Sequence, residues 1–400
     1  MTGPLAGTRV LEMGSLIAGP FAGQLLGDYG AEVIKIEPVE DGDPMRRWGK
    51  TVDGQSLWWP AIARNKRSVA LNLRDPEGQQ LVRSLAVRCD IVIENFRPGT
   101  LGKWGLDYAA LSAVNPAIIL VHVSGFGQTG PRSSEAGFGS IGETVGGIRF
   151  TTGDPDHLPS RTGISLGDSL AAMFAVIGAL AAFTARQASG RGQEVDVAIY
   201  EAVAALMEST MVDYECGGVL RTRTGSILPG VAPSNVYTCA DGADIVIAAN
   251  ADAVFRRLSQ AMGRGDLARD PRFADHASRG EHAAELDAQI QAWCQELEST
   301  ALLKILATNG VPAGKIYTAP DMISDAHYLA RNMVLRPNGP NGPLGPMAGV
   351  VPKFAGTPAQ VRSTGPALGQ DTRAVLRDLA GLNDGRISDL LRRGLVREPA

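Results

Sequence analysis

The sequence predicts an α/β fold: a large Rossmann-like domain with an open parallel sheet, and a smaller α+β domain. Three observations carry that expectation. Short apolar runs alternate with helix-length segments through the first third of the 400 residues. The composition, 44% hydrophobic and 20% charged, is that of a globular protein large enough for a sizeable core. The pattern then changes near Gly217, from alternating runs to a loop, a hairpin and charged helices.

RVLEM (Arg9–Met13) reads as a strand, followed by a Gly/Pro loop and a helix over Pro20–Gly30 with small residues on one face. AEVIKIE (Ala31–Glu37) and SVALNL (Ser68–Leu73) are further strands, then a helix from Pro76 to about Arg88, then strands at Asp90–Phe96 and Ala117–Phe126. Strands separated by helices of this length imply βαβ units and a sheet buried on both faces, with right-handed crossovers. A Gly-rich segment, Gly125–Gly153, precedes a long buried helix from about Asp168 to Gly190, a strand at Glu194–Tyr200 and a helix at Glu201–Met211. Beyond the loop Arg221–Asn235, VYTCADGADIVIAAN (Val236–Asn250) is a hairpin turning at Asp241-Gly242. Residues 225–330 form the smaller domain. Residues 1–224 and 331–400 form the large one, the tail returning after turns around Pro337–Pro346.

Several functions are excluded. A net charge of -4 leaves no footprint for nucleic acid. The N-terminal MTGPLAGTRVLEM lacks a signal-peptide pattern, and the apolar stretch Leu170–Phe183 is too short to span a bilayer. A soluble, cytoplasmic protein without membrane partners is expected. Cys89, Cys216, Cys239 and Cys294 form no C-x-x-C pair, and the five histidines form no H-x-x-x-H pair, so no metal is expected. The first strand-to-helix turn, Gly14–Pro20, lacks G-x-G-x-x-G, which argues against NAD. Gly163-Ile164-Ser165-Leu166-Gly167 matches G-x-S-x-G by letter, but SRT precedes it rather than an apolar strand.

Asp168 is the sharper candidate. It precedes a long apolar helix and follows a glycine. As an N-cap its carboxylate would accept helix N–H bonds. As a nucleophile it would be kept ionised by the helix dipole, ready to attack a thioester. The two readings are compatible. Gly167 would let an acyl group approach closely.

The segments RVLEMGSLIAGPFAGQLLGDYGAEVIKIE, NKRSVALNLRDPEG, DIVIENFRPGTLGKWGLDY, VSGFGQTGP, GISLGDSLAAMFAVIGALAA, GRGQEVDVAIYEA and NGVPAGKIY occur in this order. Taken with Asp168, the chain resembles the class III CoA-transferases, the formyl-CoA and carnitine-CoA transferase family, over nearly its whole length. The resemblance implies a large domain built from both chain ends and an interlocked homodimer in which each chain threads through the other. It places the covalent nucleophile on Asp168. It places CoA contacts on Leu71, Asn72, Leu73 and Arg74, on Asn95, Phe96 and Arg97, and on Lys103. Arg74, Arg97 and Lys103 would supply charge for the CoA phosphates, and Trp104 with Phe96 would flank the adenine.

Three departures bear on substrate. Ile17 stands where formyl-CoA transferases resemble one another in a glutamine. Gly225–Asn235 replaces their run of glycines. Gly139 stands where they carry an acidic residue. Formate and oxalate are therefore not expected. GFGSIGE…SRTGISLGDSLAA looks more like transferases that use succinyl-CoA with malate, citramalate, itaconate or related dicarboxylates. Arg46, Arg47 or Arg161 would hold the distal carboxylate. No permanently bound cofactor is expected, only CoA thioesters and small carboxylic acids. Racemases of 2-methylacyl-CoA share the fold but need a histidine where Gly137-Phe138-Gly139 stands. A non-catalytic CoA-binding relative is the other alternative.

Overall fold

The apolar runs become parallel strands in the computed structural model, which describes residues 2–52, 54–339 and 342–399. They are β1 Arg9–Glu12, β2 Glu32–Glu37, β3 Lys66–Leu71, β4 Ile91–Glu94, β5 Ile119–Ser124 and β6 Glu194–Ala198. Their order is β3-β2-β1-β4-β5-β6, every pair parallel. The C-terminal strand Val396–Arg397 adds antiparallel to β3 at the edge, so both chain ends contribute to one sheet. This is the 3-2-1-4-5-6 order of a doubly wound dinucleotide-type fold, here without the glycine fingerprint.

Alternate strand residues face opposite layers because side chains alternate across a strand. Val10, Val33, Ile93 and Val121 meet α1 (Ala18–Asp28) on one face. Leu11, Ile34, Val92 and Leu120 meet α2 (Pro76–Ala86) and the two C-terminal helices Thr372–Asp378 and Asp384–Arg392 on the other. Helix α2 starts where Asp75 accepts the Glu77 N–H, with Pro76 in the first turn. The Gly-rich segment is not only turns: it contains α3, Gly139–Val145.

The long helix is α4, Leu166–Ser189, ended by Gly190 at φ 70. It starts two residues before Asp168, which is therefore in its first turn and not at the N-cap. Ala171, Ala172, Ala175 and Ala179 pack it against the sheet. It is not wholly buried as the sequence suggests. Met173 and Ile177 are 46% and 58% exposed, on the side turned away from the alanine face. Its length and composition alone would suit a membrane span, yet its alanine face belongs to a sheet core. The helix expected at Glu201–Met211 is two helices, α5 Ile199–Ala204 and a separate Thr210–Gly217, broken where Glu208 takes φ 52.

Contacts divide the chain into two compact units: Met1–Ile148, Thr162–Thr210 and Ala326–Ala400 in the first, Arg149–Arg161 and Met211–Asp325 in the second. The second has its own antiparallel sheet of β7 Ser234–Thr238, β8 Asp244–Ala248 and β9 Ala313–Lys315. The expected hairpin is β7–β8, with Gly242 at φ 76 in its turn. Tyr237, Ile245, Phe255, Phe273 and Leu302 fill its core.

Candidate active site

Neighbouring strands β1 and β4 send the chain to opposite faces of the sheet. From β1 it passes through Gly14–Ile17 into α1 on one face; from β4 it passes through Asn95–Arg97 toward the opposite layer. Such a switch point opens a crevice at the carboxyl edge, where ligands bind in open α/β sheets. The two loops are tied together: Ser15 N–H donates to Asn95 Oδ1 at 2.8 Å and Asn95 Nδ2 donates to Ser15 O at 2.9 Å. A Cβ on Gly14 would lie 3.0 Å from Gly19 Cα and 3.1 Å from Asn95 Oδ1, so a side chain there would crowd this turn. Ile17 is buried with Met45, Trp59 and Ile62 in a small satellite core.

Beneath the first loop lies a buried charge network that the sequence reading missed. Lys35 Nζ reaches Glu12, Asp43 and Gly14 O, each at 2.8 Å. Lys66 Nζ reaches Glu12 at 2.7 Å and Pro20 O at 2.6 Å. Asp43 Oδ1 accepts the N–H of Leu16, whose φ is 64. Buried ions survive only when paired and hydrogen-bonded, and these two lysines and two carboxylates balance. Burial opposes the charge on Lys35, but Glu12 and Asp43 outweigh it and hold its pKa above the ordinary value. Lys66 is pushed down to about 8 by burial, against the pull of Glu12. The signal was present in the sequence: Glu12 and Lys35 interrupt apolar strands and pair directly in register.

The CoA candidates line the same edge. Leu71, Leu73 and Phe96 belong to or pack on the second-face core, and Phe96 meets Trp104 edge-on at 5.1 Å. Asn72 Oδ1 accepts the Arg74 N–H and turns the chain after β3. Arg74, Arg97 and Lys103 are exposed. Strands β3 and β4 are three spacings apart, roughly 14 Å, so the two groups flank the crevice rather than touch. Glu94, at the end of β4, accepts the Phe96 N–H at 2.6 Å and bonds His122 Nδ1; His122 Nε2 lies 3.2 Å from Glu194. Burial pushes the Glu94 carboxyl above its ordinary value, offset in part by His122. Burial works against the His122 imidazolium, but Glu94 and Glu194 outweigh it and raise its pKa.

Helices run back against parallel strands, so the N-terminus of α4 returns to this same edge. Asp168 is half-buried there. A Cβ on Gly139 would lie 2.3 Å from Asp168 Oδ2: the carboxylate rests on the bare backbone of α3. Gly167 does not open space for an acyl group as the sequence suggests. Its Cβ would lie 2.8 Å from Gly139 O and 3.2 Å from Glu143 Cγ, so its smallness serves helix packing. Glu143, also missed from sequence, is 1% exposed and accepts the Gly167 N–H at 3.2 Å.

Of the three arginines, Arg46 is committed to the fold. It forms a two-point pair with buried Glu37 at 2.7 Å and 2.7 Å and stacks over Trp59 at 3.9 Å. Arg47 is exposed and pairs with Asp41 at 3.0 Å. Arg161 is an exposed residue of the second unit.

The sequence profile of CoA-transferase family III matches residues 5–372. The chain belongs to this family. It is similar to the succinyl-CoA–D-citramalate CoA-transferase of Chloroflexus aurantiacus, 55% identical over 97% of this chain and 96% of that one. It is also similar to the β subunit of the succinyl-CoA–L-malate CoA-transferase of the same organism, 38% identical over 97% and 96%. A CaiB/BaiF family protein from Brucella suis superposes with a TM-score of 0.83 at 35% identity, covering 95% of this chain and 100% of that structure. The protein is therefore an enzyme of the CoA-transferase type, with CoA thioesters as substrates. The family expected from the sequence is the family found.

Proposed function

We propose that this transferase moves CoA from succinyl-CoA to a C4–C5 dicarboxylic acid, citramalate foremost, through covalent intermediates on Asp168. The observation that carries the substrate reading is the 55% identity, end to end, with a transferase named for succinyl-CoA and D-citramalate. The mechanism rests on Asp168 in the first turn of a 24-residue helix, whose N-terminal dipole favours the carboxylate. No ATP is needed, because every step exchanges one activated carboxyl for another.

Asp168 attacks the donor carbonyl and the C–S bond breaks, giving a mixed anhydride and CoA thiolate. The thiolate attacks the aspartyl carbonyl, releasing succinate and leaving an aspartyl-CoA thioester. The acceptor carboxylate attacks that thioester and expels the thiolate, which then attacks the acceptor carbonyl of the new anhydride. Acceptor-CoA leaves and the Asp168 carboxylate is restored. Backbone N–H groups of the glycine-rich turns are the oxyanion donors in this reading.

The CoA would lie along the crevice, against Leu71–Arg74, Asn95–Arg97 and Lys103. Arg46 is held by Glu37, and Arg47, which also pairs with Asp41, is the arginine this reading assigns to the distal carboxylate. A reducing, cytoplasmic setting accords with four unpaired cysteines, three of them buried.

The test is a panel of CoA donors against mono- and dicarboxylic acceptors, read by mass spectrometry of the acyl-CoAs, with Asp168→Ala as control. Succinyl-CoA with citramalate or malate is expected to lead the panel, and Asp168→Ala to be inactive yet folded. Equal rates with butyrate and a dicarboxylate would sink the substrate reading; transfer by the Ala variant would sink the mechanism.

A further inference from the structure

We infer that Glu143 is the positioning residue for Asp168, acting as a cap delivered from a neighbouring helix. The inference rests on the reading of Asp168 as nucleophile. In α4, Leu166, Gly167 and Asp168 are the first three residues, and their N–H groups precede the first i→i−4 bond, which Ser169 N–H donates to Ser165 O at 3.1 Å. A capping side chain ordinarily takes the N–H of the second or third. Here the second, that of Gly167, goes to Glu143 Oε1 at 3.2 Å, a carboxylate 24 residues away on α3 and 1% exposed.

The surroundings leave that carboxylate little room to choose another position. Helix α3 packs on both α4 and α5. A Cβ on Gly142, beside Glu143, would lie 2.4 Å from Ile199 Cγ2 of α5. On the other side, Gly139 presses on Asp168 and Gly167 presses on Glu143 Cγ. The α3–α4 junction is thus built from two glycines and one buried acid. The glycines set how close the helices come, and Glu143 sets the position of the first turn along that contact. Asp168 is the residue next to the bonded N–H, so a slide or unwinding of this turn moves the nucleophile relative to the crevice. A shift of about 1 Å in a reacting group is enough to cost on the order of a hundredfold in rate.

Glu143 acts through another residue and not on substrate, which separates its signature from that of Asp168. Loss of the acceptor should lower kcat and leave KM for acyl-CoA nearly unchanged. Glu143→Gln keeps an acceptor oxygen in the same place without charge; Glu143→Met fills the same volume without an acceptor; Glu143→Ala removes both. We expect Glu143→Gln to retain kcat within about threefold. We expect Glu143→Met and Glu143→Ala to lose tenfold or more in kcat, with KM for succinyl-CoA within about twofold, assayed well below their melting temperatures. Wild-type kcat in a folded Met or Ala variant overturns the inference. So does loss in the Gln variant equal to that in the others, because the charge would then matter rather than the cap. If neither the Met nor the Ala variant folds, the Gln variant decides: normal kcat supports the cap, and its loss refutes it. Asp168→Ala, run alongside, keeps the two readings apart. Should that variant still transfer CoA, the nucleophile is misassigned; should it be dead while the Met variant is normal, only the role of Glu143 fails.

Discussion

At the scale of single residues, the site depends on what is absent as much as on what is present. Gly139 carries no Cβ, and one placed there would lie 2.3 Å from the Asp168 carboxylate. The atom met is the far end of a side chain, so the fold can yield by rotating Asp168 away. Gly139→Ala should therefore melt within a few degrees of wild type and lose ~100-fold or more in kcat, measured by thermal melts and steady-state transfer from succinyl-CoA. A variant with normal kcat would show that Asp168 has slack. Arg46 makes the opposite case. Its partner Glu37 is fully buried, so Arg46→Leu strands a charge and should cost about 3–5 kcal/mol of stability by chemical denaturation. In the fraction that stays folded, the preference for dicarboxylates should not change. A lost preference with unchanged stability would instead make Arg46 an acid anchor. The sequence made Asp168 visible because it stands in a long motif beside a helix. Glu143 was hidden because GFGSIGE reads as part of a glycine-rich turn region; only the fold shows that α3 turns this glutamate inward against Gly167.

At the scale of elements, strand ends control the loops. Glu94 ends β4, accepts the Phe96 N–H and is itself held by His122 from β5. Both groups bind their protons more tightly in the folded protein than their ordinary values imply. A raised folded pKa contributes stability that is full below the unfolded value and is lost as pH rises through the folded one. The unfolded values are about 4.3 for Glu and 6.5 for His. The difference in melting temperature between wild type and the double variant Glu94→Gln/His122→Gln should thus be largest at the acid end, near about pH 4, and fall as pH rises past about 6.5. Other titrating groups, Lys66 among them, are common to both proteins and cancel. A difference that grows with pH would contradict the assignment. Most strands were legible because a parallel sheet buries both faces and needs continuous apolar runs, as in Ile119–Ser124. Boundaries were less so. Strand β3 begins at Lys66, two residues before the apolar run, because Glu12 pairs with that lysine inside the core. The break after α5 was not legible either, since the positive φ of Glu208 has no marker in sequence.

At the scale of the whole molecule, α4 carries both Asp168 and an exposed apolar face. One face of this helix is alanine and packs on the sheet; the other carries Met173 and Ile177 at i and i+4, 46% and 58% exposed. Helices α3 and α5 pack beside it, and α3 adds exposed Ile141 and Val145 at 43% and 40%. Large apolar side chains exposed at i and i+4 spacing on two packed helices are candidates for an interaction surface. The occupant we propose, as the resemblance to class III transferases implies, is a second copy of the chain threaded through the first. Asp168 lies in the first turn of the same helix, so an assembly that clamps α4 would also steady that carboxylate. The expected outcome is a dimer in sedimentation velocity whose mass does not change from roughly 1 to 100 μM, since threaded chains cannot separate without unfolding. The double variant Met173→Glu/Ile177→Glu places charges where an apolar interface of about 1,200–2,000 Å² or more would close. It should refold to monomers or to non-native aggregates, with transfer activity falling in step with the loss of dimer. A wild-type protein that sediments as a monomer over that range while transferring CoA at its full rate would show that this surface serves some other contact and that the site is complete within one chain.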